Sequence, residues 1–137
     1  MNAVSVDVAD MLEAYGESSG LATELTYASN MFIGTEPASP INCVTIYDTP
    51  GFPPYLGLTS KGYEYPSIQI RVRNKKYTTA MNTAEDIKEA LHGQAQTIVN
   101  GTLYSVIYCT SGPTLLDYDD NGNARVILNF NLQRRTA

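Results

Sequence analysis

The 137-residue chain has no tryptophan, a single histidine and two cysteines, and its first sixty residues contain no lysine or arginine. Cys43 and Cys109 are too few for a disulfide framework, and both fall in apolar, strand-like runs where a buried free thiol is expected. Cysteine and histidine pairs at metal-ligand spacing are missing, as are a phosphate-binding glycine pattern and a paired-carboxylate acid/base motif. The opening MNAVSVDVADML lacks a basic segment followed by a long apolar core, so it does not read as a signal peptide. No run approaches the length of a membrane span. The expectation is a soluble protein with no membrane association, in a reducing compartment, with no cofactor, no metal and no catalytic residues.

What is present is ordinary for a folded domain: 43% apolar residues, 17% charged residues and ten tyrosines. That argues for one domain over residues 1–137. The net charge of −5 is unevenly placed. Asp7, Asp10, Glu13, Glu17, Glu24, Glu36 and Asp48 all precede the first basic residue, Lys61. A nucleic-acid binder usually carries a basic excess, which this chain lacks. Such asymmetry fits a head-to-tail contact in which an acidic surface of one copy meets a basic surface of the next.

The most informative stretch is Tyr65 to Gly93. Ile68, Ile70 and Val72 alternate with Gln69, Arg71 and Arg73, the pattern of a half-buried strand. The period then changes, and Ala80, Ala84, Ile87 and Leu91 form one helical stripe. An earlier helix is expected from Ser5, as cap, to Gly16, with Val8, Met11, Leu12 and Tyr15 on one face. Asn30 to Gly34 reads as a short strand and Ile41 to Asp48 as a covered one. Thr49 to Ser67, with four prolines, three glycines and three tyrosines, reads as a long loop poised for contact. Asn100-Gly101 marks a turn into a strand over Thr102 to Thr110, ended by Ser111-Gly112-Pro113. The last strand, Arg125 to about Gln133, alternates Val126, Leu128, Phe130 and Leu132 with polar residues and ends in Arg134-Arg135. The sum is an α+β fold: an antiparallel or mixed sheet of about five strands with two helices packed on one face.

Asp117, Asp119, Asn121 and Gly122 match the first half of a calcium loop, but Leu128 stands where its closing glutamate belongs, so a hairpin turn is the reading. His92, beside Gly93 at a helix end, fits a partly charged imidazole complementing the dipole. An enzyme using His92 with Asp86 or Glu89 would have no motif behind it. Arg71, Arg73, Lys75 and Lys76 are the basic cluster of note. Three readings stay open for it: a solvated strand edge, an interface row of arginines, and a nucleic-acid contact.

The segments NMFIGTEPASP, CVTIYDTPG, YPSIQIRVRNKK, AEDIKEALHG and ARVILNFNLQRR, in this order, resemble the tail terminator (tail completion, or minor capsid) family of long-tailed bacteriophages over about residues 5 to 135. The resemblance implies a virion structural protein that forms a homo-hexameric ring on the head-proximal end of the tail tube, stops its polymerisation and presents the surface for the head connector. Implied partners are other copies of itself, the tail tube protein and a head-tail connector or stopper protein, with DNA passing through the ring without specific binding. Its place would be the neck of the virion, after assembly in the host cytoplasm. Another connector, stopper or neck protein is the nearest alternative; a small enzyme or nucleic-acid module is distant. Candidate interface residues are Arg71, Arg73, Lys75, Lys76, Tyr55, Tyr63, Tyr65, Arg134 and Arg135. Because no chemistry is assigned to the lone imidazole, His92→Ala is expected to leave particle yield unchanged in a phage complementation assay.

Overall fold

The alternation around Ile70 folds as a strand and the following stripe as a helix in a computed structural model that describes residues 1–19, 24–54 and 62–137. Chain order among the described residues is helix α1 (Val4–Ser19), strands β1 (Met31–Ile33), β2 (Cys43–Phe52) and β3 (Tyr65–Asn74), helix α2 (Tyr77–Leu91), then strands β4 (Ala95–Val99), β5 (Thr102–Tyr118) and β6 (Ala124–Thr136). The strands lie in one sheet in the order β1-β2-β3-β6-β5-β4. β1 runs parallel to β2 and all other neighbours are antiparallel, so the fold is α+β with a mixed sheet. There are six strands, where about five were expected. The additional one is β4, an edge strand whose apolar alternation is broken by Gln96 at φ 51.

β3 and β6 form the centre. Their register sets Ile68 against Phe130, Ile70 against Leu128 and Val72 against Val126, all buried. Val8 and Leu12 of α1 and Ala80, Ala84, Ile87 and Leu91 of α2 join the same core. Since side chains alternate across a strand, both helices cover one face of the sheet. The opposite face is polar: the Ser67 hydroxyl donates to Asn131 Oδ1 at 2.5 Å, and the Asn129 amide donates to Ser111 Oγ at 2.9 Å.

β5 departs furthest from its expected form. A shift of register between Tyr104 and Val106 turns Tyr104 to the core beside Ile107, where strict alternation would oppose them. Ser111-Gly112-Pro113 does not end the strand; it produces further shifts of register, and pairing with β6 resumes through Tyr118. Only glycine fits at position 112. Its φ is +100, and an added Cβ would lie 2.5 Å from the Ile127 carbonyl oxygen.

Two element ends also correct the sequence reading. Ser5 lies inside α1, and Asp48 of β2 serves the helix start: its carboxylate accepts the Ser5 N–H at 3.0 Å and the Ser5 hydroxyl at 2.6 Å. Gly16 does not stop α1, which runs on to Ser19. At the end of α2, His92 Nδ1 accepts the Cys109 N–H at 2.9 Å, which ties the helix end to β5. The hairpin turn after β5 forms as expected. Asp119 Oδ1 accepts the N–H groups of Asn121 and Asn123, and the Asn123 side chain and backbone hold its carboxyl below the usual range.

Gly112→Ala is expected to lower stability by roughly 2 kcal/mol or more, through the contact with β6 backbone and the left-handed φ. The urea unfolding midpoint, with an unchanged slope, measures it.

Candidate functional site

The basic strand splits into residues of different use. Arg73 is 6% exposed and turned inward to the chain before β2. Its Nε donates to the Ile41 carbonyl at 2.9 Å, Nη2 to the carbonyls of Pro37 at 2.5 Å and Pro40 at 3.0 Å, and Nη1 to Glu36 Oε1 at 3.1 Å. The same Glu36 oxygen accepts Arg125 Nε at 3.0 Å, and Arg125 also reaches Asp117 at 3.3 Å. This is needed because the register of β3 and β6 puts Arg73 directly opposite Arg125. Two like charges at that separation repel, and one buried carboxylate between them reverses the sign of the interaction.

Arg134 is likewise engaged within the chain. Its guanidinium meets Glu64 Oε2 at 3.0 Å, the Asn2 carbonyl at 2.9 Å and the Tyr104 hydroxyl at 3.5 Å. The Tyr104 hydroxyl in turn donates to Asp7, a fully buried residue of α1 that also accepts the Asn100 amide at 2.9 Å. Burial pushes the Tyr104 phenol well up, and the Asp7 carboxylate pushes it the same way. The network ties α1 to β5 and β6.

The remaining candidates lie nearer the surface. Arg71, on the polar sheet face, stacks over the Tyr47 ring at 5.1 Å, and its buried Nε has no hydrogen-bond partner among the described residues. Lys75 and Lys76 are exposed in the turn between β3 and α2. Arg135 is exposed, 5.9 Å from the Tyr63 ring, and the neighbouring Ser105 and Arg135 side chains hold the Tyr63 phenol below the ordinary range. Tyr65 is half-buried opposite Phe52, where β2 and β3 draw close. Tyr55 lies outside the described residues. The eight described candidates therefore do not form one row.

Sequence reasoning missed Asp7, Glu36 and Asp48. A signal for them existed: acids in a stretch without bases, if buried, must find donors elsewhere in the chain. It also missed the free surfaces. One is a groove of about 510 Å³ where α1 and the end of α2 face β4. Another is the outer half of β5, with Leu115, Leu116 and Tyr118 exposed. Among the described residues no His, Cys, Asp or Glu cluster could hold a metal ion, and no helix is long and apolar enough to cross a membrane.

A small α+β molecule in which Arg73 and Arg134 fasten the chain to itself, and which exposes large apolar side chains on β4 and β5, has the character of an assembly subunit. The model of the bacteriophage tail terminator protein family matches residues 20–136, and the chain belongs to that family. It is a structural protein of the virion tail. A chain from the virion of a native gene transfer agent particle shares the fold, with a TM-score of 0.68 at 14% identity, covering 96% of this chain and 94% of that one. Among curated proteins none matches.

Glu36→Ala would leave Arg73 and Arg125 facing each other without their shared acid. The expected loss is roughly 3 kcal/mol, the low end for a broken buried pair because three carbonyls still hold Arg73. Chemical denaturation measures it, and an unchanged midpoint would show that the arginines do not depend on Glu36.

Proposed function

We propose that six copies of the chain form a ring on the head-proximal end of the tail tube, stop its growth and present the docking surface for the head connector or stopper. The family match over residues 20–136 carries this reading. The mechanism is geometric. A ring that complements the last tube ring on one face, and differs on the other, removes the template on which the next tube subunit would add. Such a subunit needs no reacting groups. It needs a rigid frame and surfaces for its neighbours, which agrees with arginines fixed inside the chain while Lys75, Lys76 and Arg135 remain exposed.

In this reading the partners are further copies of the chain, the tail tube protein and the connector, at the neck of a particle assembled in the host cytoplasm. The net charge of −5 favours a lumen through which DNA slides without specific attachment.

The test is a phage lacking this chain. Tails longer than normal and unjoined to heads are expected by electron microscopy, with normal length restored when the protein is supplied. Tails of normal length in its absence, or label on the protein at the distal tip of finished virions, would overturn the reading.

A further inference from the structure

Two apolar surfaces lie at opposite ends of α2. The first is the groove of about 510 Å³, lined by Met11 of α1, Ala90 and Leu91 at the end of α2, and Ile98 of β4. Ile98 is 64% exposed, high for an isoleucine beside a concave surface. The second is the outer half of β5. β4 reaches only to the pair Ala95 and Val106, so from Tyr108 to Tyr118 β5 has no strand partner on that side among the described residues. Leu115, Leu116 and Tyr118 are 38%, 42% and 55% exposed there. An open edge carrying large apolar side chains is a ready docking element.

The register fixes where this edge lies. Asn74, Ala124 and Tyr118 form one row across β3, β6 and β5, and α2 starts at Tyr77, three residues after Asn74. The edge therefore lies by the first turn of α2, while the groove lies by its last turn. Fifteen helical residues separate them, about 22 Å at 1.5 Å each. They cannot meet within one copy, but they can meet between copies. Repeating such a head-to-tail contact closes a ring when its rotation closes.

Charge selects the same partner. Lys75 and Lys76 sit exposed at the same end of the sheet as Tyr118, two strands across from the β5 edge, and neither forms an ion pair among the described residues. Asp10 of α1 lines the groove, where it accepts a hydrogen bond from the neutral Asn100 amide at 2.8 Å. α1 contains no lysine or arginine. Of the acids at this end of β5, Asp117 is engaged with Arg125 and Asp119 with its own turn, while Asp120 is exposed and is outnumbered by the two lysines. This end of the sheet thus brings net positive charge toward a groove lined by Asp10.

We infer that Leu115, Leu116 and Tyr118 of one copy dock into the groove between α1, α2 and β4 of the next, with the positive end of the sheet that holds Lys75 and Lys76 turned toward Asp10. The inference rests on the ring reading and names the contact that builds the ring.

The test uses two exposed-site variants of the full chain, Leu116→Arg and Ile98→Asp, each checked for a wild-type unfolding midpoint. Each alone should fail to form rings, because one contact surface is spoiled in every copy. Mixed in equal amounts, they should give dimers and nothing larger, since each supplies the surface the other lacks. Rings formed by both variants as by wild type would overturn the contact and leave the ring reading intact. Finished virions with no ring of this chain would overturn both. A second measurement does not depend on either variant being stable: a chain carrying Ile98→Cys and Leu116→Cys, treated in intact tails with a short bifunctional maleimide. A ladder of linked subunits is expected, and ring-bearing tails that give no ladder overturn the contact.

Discussion

The pairing of β3 with β6 is the constraint on which the rest of the molecule depends. One register aligns three apolar pairs toward the helices and, on the other side of the strands, sets Arg73 against Arg125. The apolar pairs supply the core that α1 and α2 cover. The arginine pair demands an acid, and Glu36 supplies it from the chain just ahead of β2. A slip of one residue would turn Ile68, Ile70 and Val72 to solvent and separate the arginines from Glu36 together. Core and charge therefore specify the same alignment.

Much of this frame was legible. β3, α2 and β6 follow from period and alternation because their buried faces are regular, and local pattern reports regular burial well. What was not legible depends on events that period cannot encode. β4 is short and half exposed, with a kink at Gln96, so its sequence carries no alternation to read. The shifts of register in β5 move Tyr104 to the core and carry the strand past Pro113, where proline would ordinarily end it. The candidate residues divide on the same ground. Lys75 and Lys76 are exposed, as their type suggests, whereas Arg73 and Arg134 are drawn inward by acids remote in sequence, Glu36 and Glu64. The acidic first half, read as a surface for a neighbour, is in part an internal supply of acceptors.

Family membership gives this division a purpose. A tail protein acts through the shape and charge it shows to other subunits, and shape is reproducible only if the frame does not shift. Fastening the loop before β2 to Arg73, and the chain before β3 to Arg134, holds two irregular segments at fixed places on the sheet. Any surface that these segments present then keeps one contour. The absence of reacting motifs in the sequence is consistent with a molecule in which polar groups serve alignment.

The carboxylate of Asp48 makes the point at smaller scale. By gripping both the amide and the hydroxyl of Ser5, it pins α1 at two points of its first turn, while Asp7 pins the same turn from the side of β5. A rod fastened so cannot roll about its long axis without breaking these bonds together. The bearing of Asp10 and Glu13 around that axis is thereby set by a strand on the far side of the core, and a change at Asp48 would redirect the helix's charges while leaving every one of them in place.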